Sequence, residues 1–139
     1  MDLTWSPPRS HEEIKKERGR GPPGLYLIIA GKRIAGTWNE GTFRLLDIGQ
    51  ADDVRLRISA HEREDCWHPR ARGSSLLVKI AEVSGDEYDE TDRRALVCCL
   101  RVAERPPCGD ECREGYHRDE SVKISNGGDM APLKSRYAC

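Results

Sequence analysis

No stretch of this 139-residue sequence approaches the roughly 20 consecutive apolar residues of a membrane span, so no membrane segment is expected. Met1 to Ser10 hold Trp5 and two prolines but no apolar leader, which sets the cytoplasm as the expected location. Net charge is lacking as well: 23 Lys and Arg face 24 Asp and Glu, a balance of -1. That excludes a uniformly basic nucleic-acid coat and leaves only a local patch for any polyanion contact. Large apolar side chains are scarce, with Leu, Ile, Val and Phe totalling 26. This is about 19% of the chain, near the composition at which disorder sets in.

Their distribution rescues the fold. Residues 22–107 carry 21 of the 26, and only Leu3, Ile14, Val122, Ile124 and Leu133 lie outside. The chain therefore reads as a charged N-terminal arm over 1–21, one domain over 22–107 and a polar, Cys-containing extension over 108–139. An 86-residue core is small, so docked flanks, a metal or a partner could contribute to its stability. Gly24–Ala30, Thr42–Ile48 and Leu76–Val83 read as strands, apolar and bounded by turn residues. The turn-rich stretch between the first two lets their hairpin extend. Asp52–Arg63 has helical spacing with Asp52 or Asp53 as N-cap, residues 64–75 read as a polar loop, and Thr91–Arg105 reads as a helix stopped by Pro106 and Pro107. The expected class is α+β, a small three-stranded antiparallel sheet flanked by helices.

Gly24-Leu25-Tyr26 on the first strand and Asp47-Ile48-Gly49 ending the second are followed by Arg57, eight residues past Gly49, and His61, four residues later. In that order these residues resemble the GIY-YIG nuclease superfamily, over residues 22 to about 109. The resemblance implies a GIY-YIG-like fold and divalent-metal-dependent cleavage of nucleic-acid phosphodiesters. Tyr26, Arg57 and His61 would be catalytic: Arg57 would stabilise charge developing on the phosphate, and Tyr26 and His61 would position or deprotonate water. DNA is the expected partner ahead of RNA, and Mg2+ or Mn2+ the expected cofactor. The sequence departs from the family at three points. Asp47 stands where a tyrosine opens the second motif, and 20 residues separate Tyr26 from Asp47, about twice the common spacing. Val97 stands where the metal-binding glutamate is expected, and Gly109 takes the place of an asparagine. Asp47, Glu90 and Glu104 are the substitute carboxylates for a relocated metal site. The second reading is an inactive nucleic-acid-binding or protein-interaction module, a protein partner engaging the arm or the extension.

Taken singly, Tyr26 also reads as a core aromatic, and Arg57 and His61 as a solvated helix face. Arg55, Arg57, Arg63, Arg70 and Arg72 fall within 18 residues, with Trp67 and His68 among them. Arg55, Arg63, Arg70 and Arg72 could follow a phosphate backbone and Trp67 could stack on a base, or Trp67 could cover the core above an ordinary surface loop. Cys108, Cys112 and His117 have zinc-ligand types at workable spacing, although no paired CxxC motifs accompany them. Free thiols or a Cys108–Cys112 disulfide are the alternatives. Cys98 and Cys99 read as buried core thiols.

Overall fold

A computed structural model describes residues 1–83, 86, 88–109, 112 and 122–139. Along the chain run β1 (Asp2–Trp5), β2 (Arg9–Ser10), α1 (His11–Lys16), β3 (Gly24–Ile34) and β4 (Thr37–Ala51). There follow α2 (Val54–Ser59), α3 (Glu64–Arg70), β5 (Ser75–Glu82), α4 (Glu90–Glu104), β6 (Lys123–Gly128) and β7 (Arg136–Ala138).

β3 is the continuous apolar run of the sequence, and it is continuous because both of its faces are covered. It lies inside a four-stranded sheet of order β2-β5-β3-β4, in which every neighbouring pair is antiparallel. Side chains alternate across a strand, so Leu25, Leu27 and Ile29 enter one hydrophobic cluster while Tyr26, Ile28 and Ala30 enter the other. The second cluster is closed by Val54 and Ile58 of α2 and Trp67 of α3. The first is closed by Leu96 and Leu100 of α4 and by Leu3, Trp5, Ile124 and Tyr137 from the two ends of the chain. The long interval between Tyr26 and Asp47 is taken up by the β3–β4 hairpin, whose turn residues Ala35 and Gly36 have φ of 54° and 83°. Positive φ at both positions suits the tight turn that matches strand twist.

The α+β class holds, but the single three-stranded antiparallel sheet needs correction. β2 adds a fourth strand, and β1, β6 and β7 form a separate three-stranded sheet in which β1 runs parallel to β6 and β7 antiparallel. Described residues from both ends of the chain, among them Leu3, Trp5, Ile14, Ile124 and Tyr137, pack into the two clusters. Met1 and Lys123, at opposite ends of the sequence, are bonded through the terminal amine. α1 is docked, not solvated: His11 and Ile14 are buried, with the His11 ring edge-on to Trp67 at 5.7 Å. Lys79 ties the sheets together, its buried ammonium donating to the carbonyls of Asp129 and Ala131 at 2.7 Å each.

The expected 52–63 helix is shorter, six residues capped by Asp53, whose carboxylate accepts the Leu56 N–H. The expected loop over 64–75 instead contains α3, with Pro69 near its C-terminal end. α4 is one residue earlier at each end than expected, opened by a reciprocal Asp89–Asp92 capping box. The six cysteines form three disulfides, Cys66–Cys108, Cys98–Cys112 and Cys99–Cys139. Cys98 and Cys99 are thus half-cystines, not free core thiols, and the Cys108–Cys112 alternative is replaced by two other pairings.

Candidate functional site

Tyr26 and Gly49 are cross-strand partners on β3 and β4. A Cβ on Gly49 would overlap the Tyr26 ring, so the glycine gives the phenol room to lie across its neighbour. There the hydroxyl meets His61 Nε2 at 2.6 Å. The Arg63 backbone N–H donates to the other ring nitrogen, Nδ1, at 3.0 Å, so in the neutral imidazole the proton sits on Nε2. Nε2–H then donates to the Tyr26 oxygen, which leaves the phenolic proton for another acceptor. Burial, then the Asp47 charge, pushes the Tyr26 pKa up to about 12, against the opposing pull of Arg63 and Arg57. A phenol so protonated is a hydrogen-bond donor at neutral pH and a poor general base. Gly49→Ala is expected to cost about 1–3 kcal/mol through this overlap. Urea unfolding checks it; an unchanged midpoint would show that Tyr26 does not need the space.

Tyr26 opens onto a cavity of about 430 Å3 that is also lined by Arg57, Arg63, Arg94, Arg101 and Gln50. Its less polar wall includes Ile48, Val97, Cys98 and Cys112. Arg94, Val97, Cys98 and Arg101 recur at helical spacing and present one stripe of α4 to the cavity. Among the described residues that line the cavity none is a carboxylate.

Two of the four guanidiniums are anchored on Asp47, which is fully buried. Arg63 Nε donates to it at 2.8 Å, Arg101 makes a short ion pair with it, and the Trp67 indole N–H donates at 2.8 Å. Arg101 also donates to the carbonyls of Ile48 at 2.9 Å and Cys108 at 3.2 Å. Among the described residues Arg57 and Arg94 make exposed ion pairs, with Glu62 at 3.5 Å and Glu90 at 2.8 Å, and the Arg57 side chain also hydrogen-bonds Tyr26. Such pairs are worth about 0–1 kcal/mol, so either arginine can turn to a ligand at little cost. Gln50 is oriented by Arg93, which donates to its side-chain oxygen at 3.1 Å.

The structure thus brings Tyr26 and Arg57 to one cavity, with His61 buried behind Tyr26; Arg57 lies on α2, while His61 follows that helix. It does not bring the expected metal ligands together. Asp47 is engaged by two arginines and an indole. Glu90 and Glu104 occupy the two ends of α4, about 20 Å apart at helical rise, and Glu104 accepts the Tyr137 hydroxyl. Among the described residues no group of three His, Cys, Asp or Glu is placed to hold a metal ion. The described lining of this cavity supplies guanidiniums and a phenol and none of the carboxylates that Mg2+ or Mn2+ would take. Cys108 and Cys112 are bonded to Cys66 and Cys98, so neither sulfur is a thiolate for zinc, and His117 lies outside the described residues.

Of the expected nucleic-acid contacts, Arg63 lines the cavity, but Trp67 is buried with its N–H on Asp47 and cannot stack on a base. Arg55 is turned to Glu17 at 2.8 Å and to the Arg18 carbonyl. Arg70 bonds the Cys66 carbonyl, and Arg72 lines a different cavity beside His11 and His68. Sequence reasoning missed Arg94, Arg101 and Gln50. The signal was the spacing of Arg94, Val97 and Arg101, which sets two arginines on the face of α4 that carries the displaced glutamate position. No protein-family model, curated protein or solved structure matches the chain.

Proposed function

We propose that this chain binds nucleic acid by seating a phosphate in the cavity before Tyr26, on a GIY-YIG-like scaffold that does not use divalent-metal hydrolysis. One observation carries this reading: among the described residues that line the cavity are four arginines and a protonated tyrosine, and none is a carboxylate. Guanidiniums match phosphate oxygens in pairs, whereas a metal centre needs the opposite polarity. Asp47 holds Arg63 and Arg101 in place before any ligand arrives, so their charge is preorganised. Arg57 and Arg94 complete the grip from α2 and α4 by leaving weak surface pairs. The order Tyr26, Gly49, Arg57, His61 supports the GIY-YIG-like assignment, as does the placement of Val97 at the cavity wall.

Arg57→Gln should weaken binding to single-stranded or duplex DNA about tenfold and lower the salt slope by about one, as loss of one phosphate contact requires. Fluorescence anisotropy across a salt series, repeated with RNA, measures both. Absence of affinity at low salt would end the proposal. Cutting of the same oligonucleotides in Mg2+ or Mn2+, lost in Arg57→Gln, would restore the endonuclease reading.

As for location, no helix of the described residues is long and apolar enough to cross a membrane. Three disulfides favour an oxidising compartment over the cytoplasm expected from the sequence.

A further inference from the structure

We infer that the tip of the β3–β4 hairpin is a second nucleic-acid contact, a two-stranded ribbon that enters the major groove of duplex DNA while the cavity holds a backbone phosphate. The inference rests on the nucleic-acid reading above and names the form of the polymer, a B-form duplex.

Projection is the first argument. β3 is paired with β5 only as far as Gly31, which faces Ser75, whereas its pairing with β4 continues to Ile34. The end of the hairpin therefore leaves the sheet as two strands alone, and every residue from Lys32 to Thr37 is exposed. Three residues beyond Gly31 reach about 10 Å at strand rise, enough to cross a major groove about 8.5 Å deep and about 12 Å wide. The minor groove, about 6 Å wide, does not admit two strands about 4.8 Å apart with side chains on both faces. The ribbon is also preformed. The Thr42 hydroxyl accepts the Lys32 N–H at 2.9 Å and donates to the Asn39 carbonyl at 2.6 Å. Half-buried Trp38 packs against the core and carries the Arg33 guanidinium over its ring at 4.3 Å.

Chemistry is the second argument. Residues 31–44 hold Lys32, Arg33 and Arg44 against one carboxylate, Glu40, whose charge acts on the buried Lys79 ammonium. Among the described residues none of these three cations is in an ion pair. Ile34, at the tip, is 55% exposed, one of two large apolar side chains so placed among the described residues. An apolar tip behind a pair of cations matches a major groove, with phosphates on its walls and thymine methyls on its floor.

Placement is the third. β4 is the edge of its sheet and runs from the ribbon to the cavity, which it lines with Ile48, Gly49 and Gln50. Along β3 the distance from Tyr26 to Arg33 is about 23 Å at strand rise, the length of about seven base pairs. One duplex lying along this edge meets both.

The test uses the full chain and one sequence in three forms, single-stranded DNA, duplex DNA and duplex RNA, in anisotropy titrations over a salt series. Duplex RNA is the decisive comparison, because side chains cannot read its deep, narrow major groove. The parent should bind duplex DNA about tenfold or more tighter than the other two. Lys32→Gln combined with Arg33→Gln should erase that preference and lower the duplex salt slope by about two, with single-strand affinity unchanged. Ile34→Ser should weaken duplex binding about threefold with the slope unchanged, since an apolar contact releases no counterions. All three positions are exposed, and an unchanged urea midpoint verifies that each variant folds. Equal binding of the three forms, or a duplex preference that survives in the double variant, would overturn the inference and leave the nucleic-acid reading intact. Parent-like duplex binding by Ile34→Ser would overturn the insertion of the tip into the groove. No binding of any form would remove both readings.

Discussion

Asp47→Asn should destabilise the protein by about 3–5 kcal/mol, the range for breaking a buried ion pair by removing one partner. The substitution preserves shape, so the effect isolates charge. Asp47 is fully buried and accepts from Arg63, Arg101, the Trp67 indole and the Ile48 N–H. Neutralising it removes a counter-charge from the Arg101 guanidinium, almost fully buried, and from the largely buried Arg63. The new amide also points donors at donors. Urea unfolding of the variant, followed by Trp fluorescence, gives the loss directly. A metal-ligand role for Asp47 makes a different prediction: the fold would survive neutralisation and only metal affinity would change. A variant as stable as the parent would therefore remove the arginine-anchor account of the site and, with it, the preorganised charge on which the proposed phosphate binding depends.

Removing the Cys66–Cys108 bond with paired serine substitutions should cost about 2–4 kcal/mol, because the bond closes a loop between residues 42 apart. It joins the entry to α3 with the turn after α4, where the Cys108 N–H also bonds the Leu46 carbonyl of β4. Loss of the bond frees the segment that supplies the Cys108 carbonyl to Arg101. Both thermal stability and phosphate affinity should fall, since Arg101 lines the cavity. Cys99–Cys139 closes a loop of similar span, 40 residues, and fastens the end of β7 to α4. Full reduction by a dithiol should therefore lower the melting temperature far more than any single pair does. Mass spectrometry of the unreduced chain, alkylated in denaturant, should find no modified cysteine. Alkylation at Cys66 or Cys108 in the protein purified without reductant would contradict the pairing.

The elements legible in the sequence were those whose signals are local. β3 announced itself by an apolar run after Pro22–Pro23, β5 by a second run, and α4 by acidic residues at its start and prolines after its end. Asp53 was legible as a cap, because an N-cap needs only the side chain and the next three residues. α3 was missed because its seven residues are polar except for Trp67 and Cys66, and it contains Pro69. What secures it is Trp67, buried among Val54, Ile58 and Tyr26, a contact with no local trace.

Tyr26, Arg57 and His61 could be marked from order and spacing alone, and so could the absence of a carboxylate at Val97. The polarity of the site could not. Whether Asp47 served a metal or an arginine depended on Arg101, 54 residues away, reaching it across the fold. The pairing of the cysteines, and the parallel pair that β1 makes with β6 across more than 120 residues, were equally beyond local pattern. Composition and periodicity determined that there is a core, where it lies in the chain and which residue types could meet a phosphate. Only tertiary structure decided which of them meet, because a charge acts over a few ångströms of space whatever its distance along the chain.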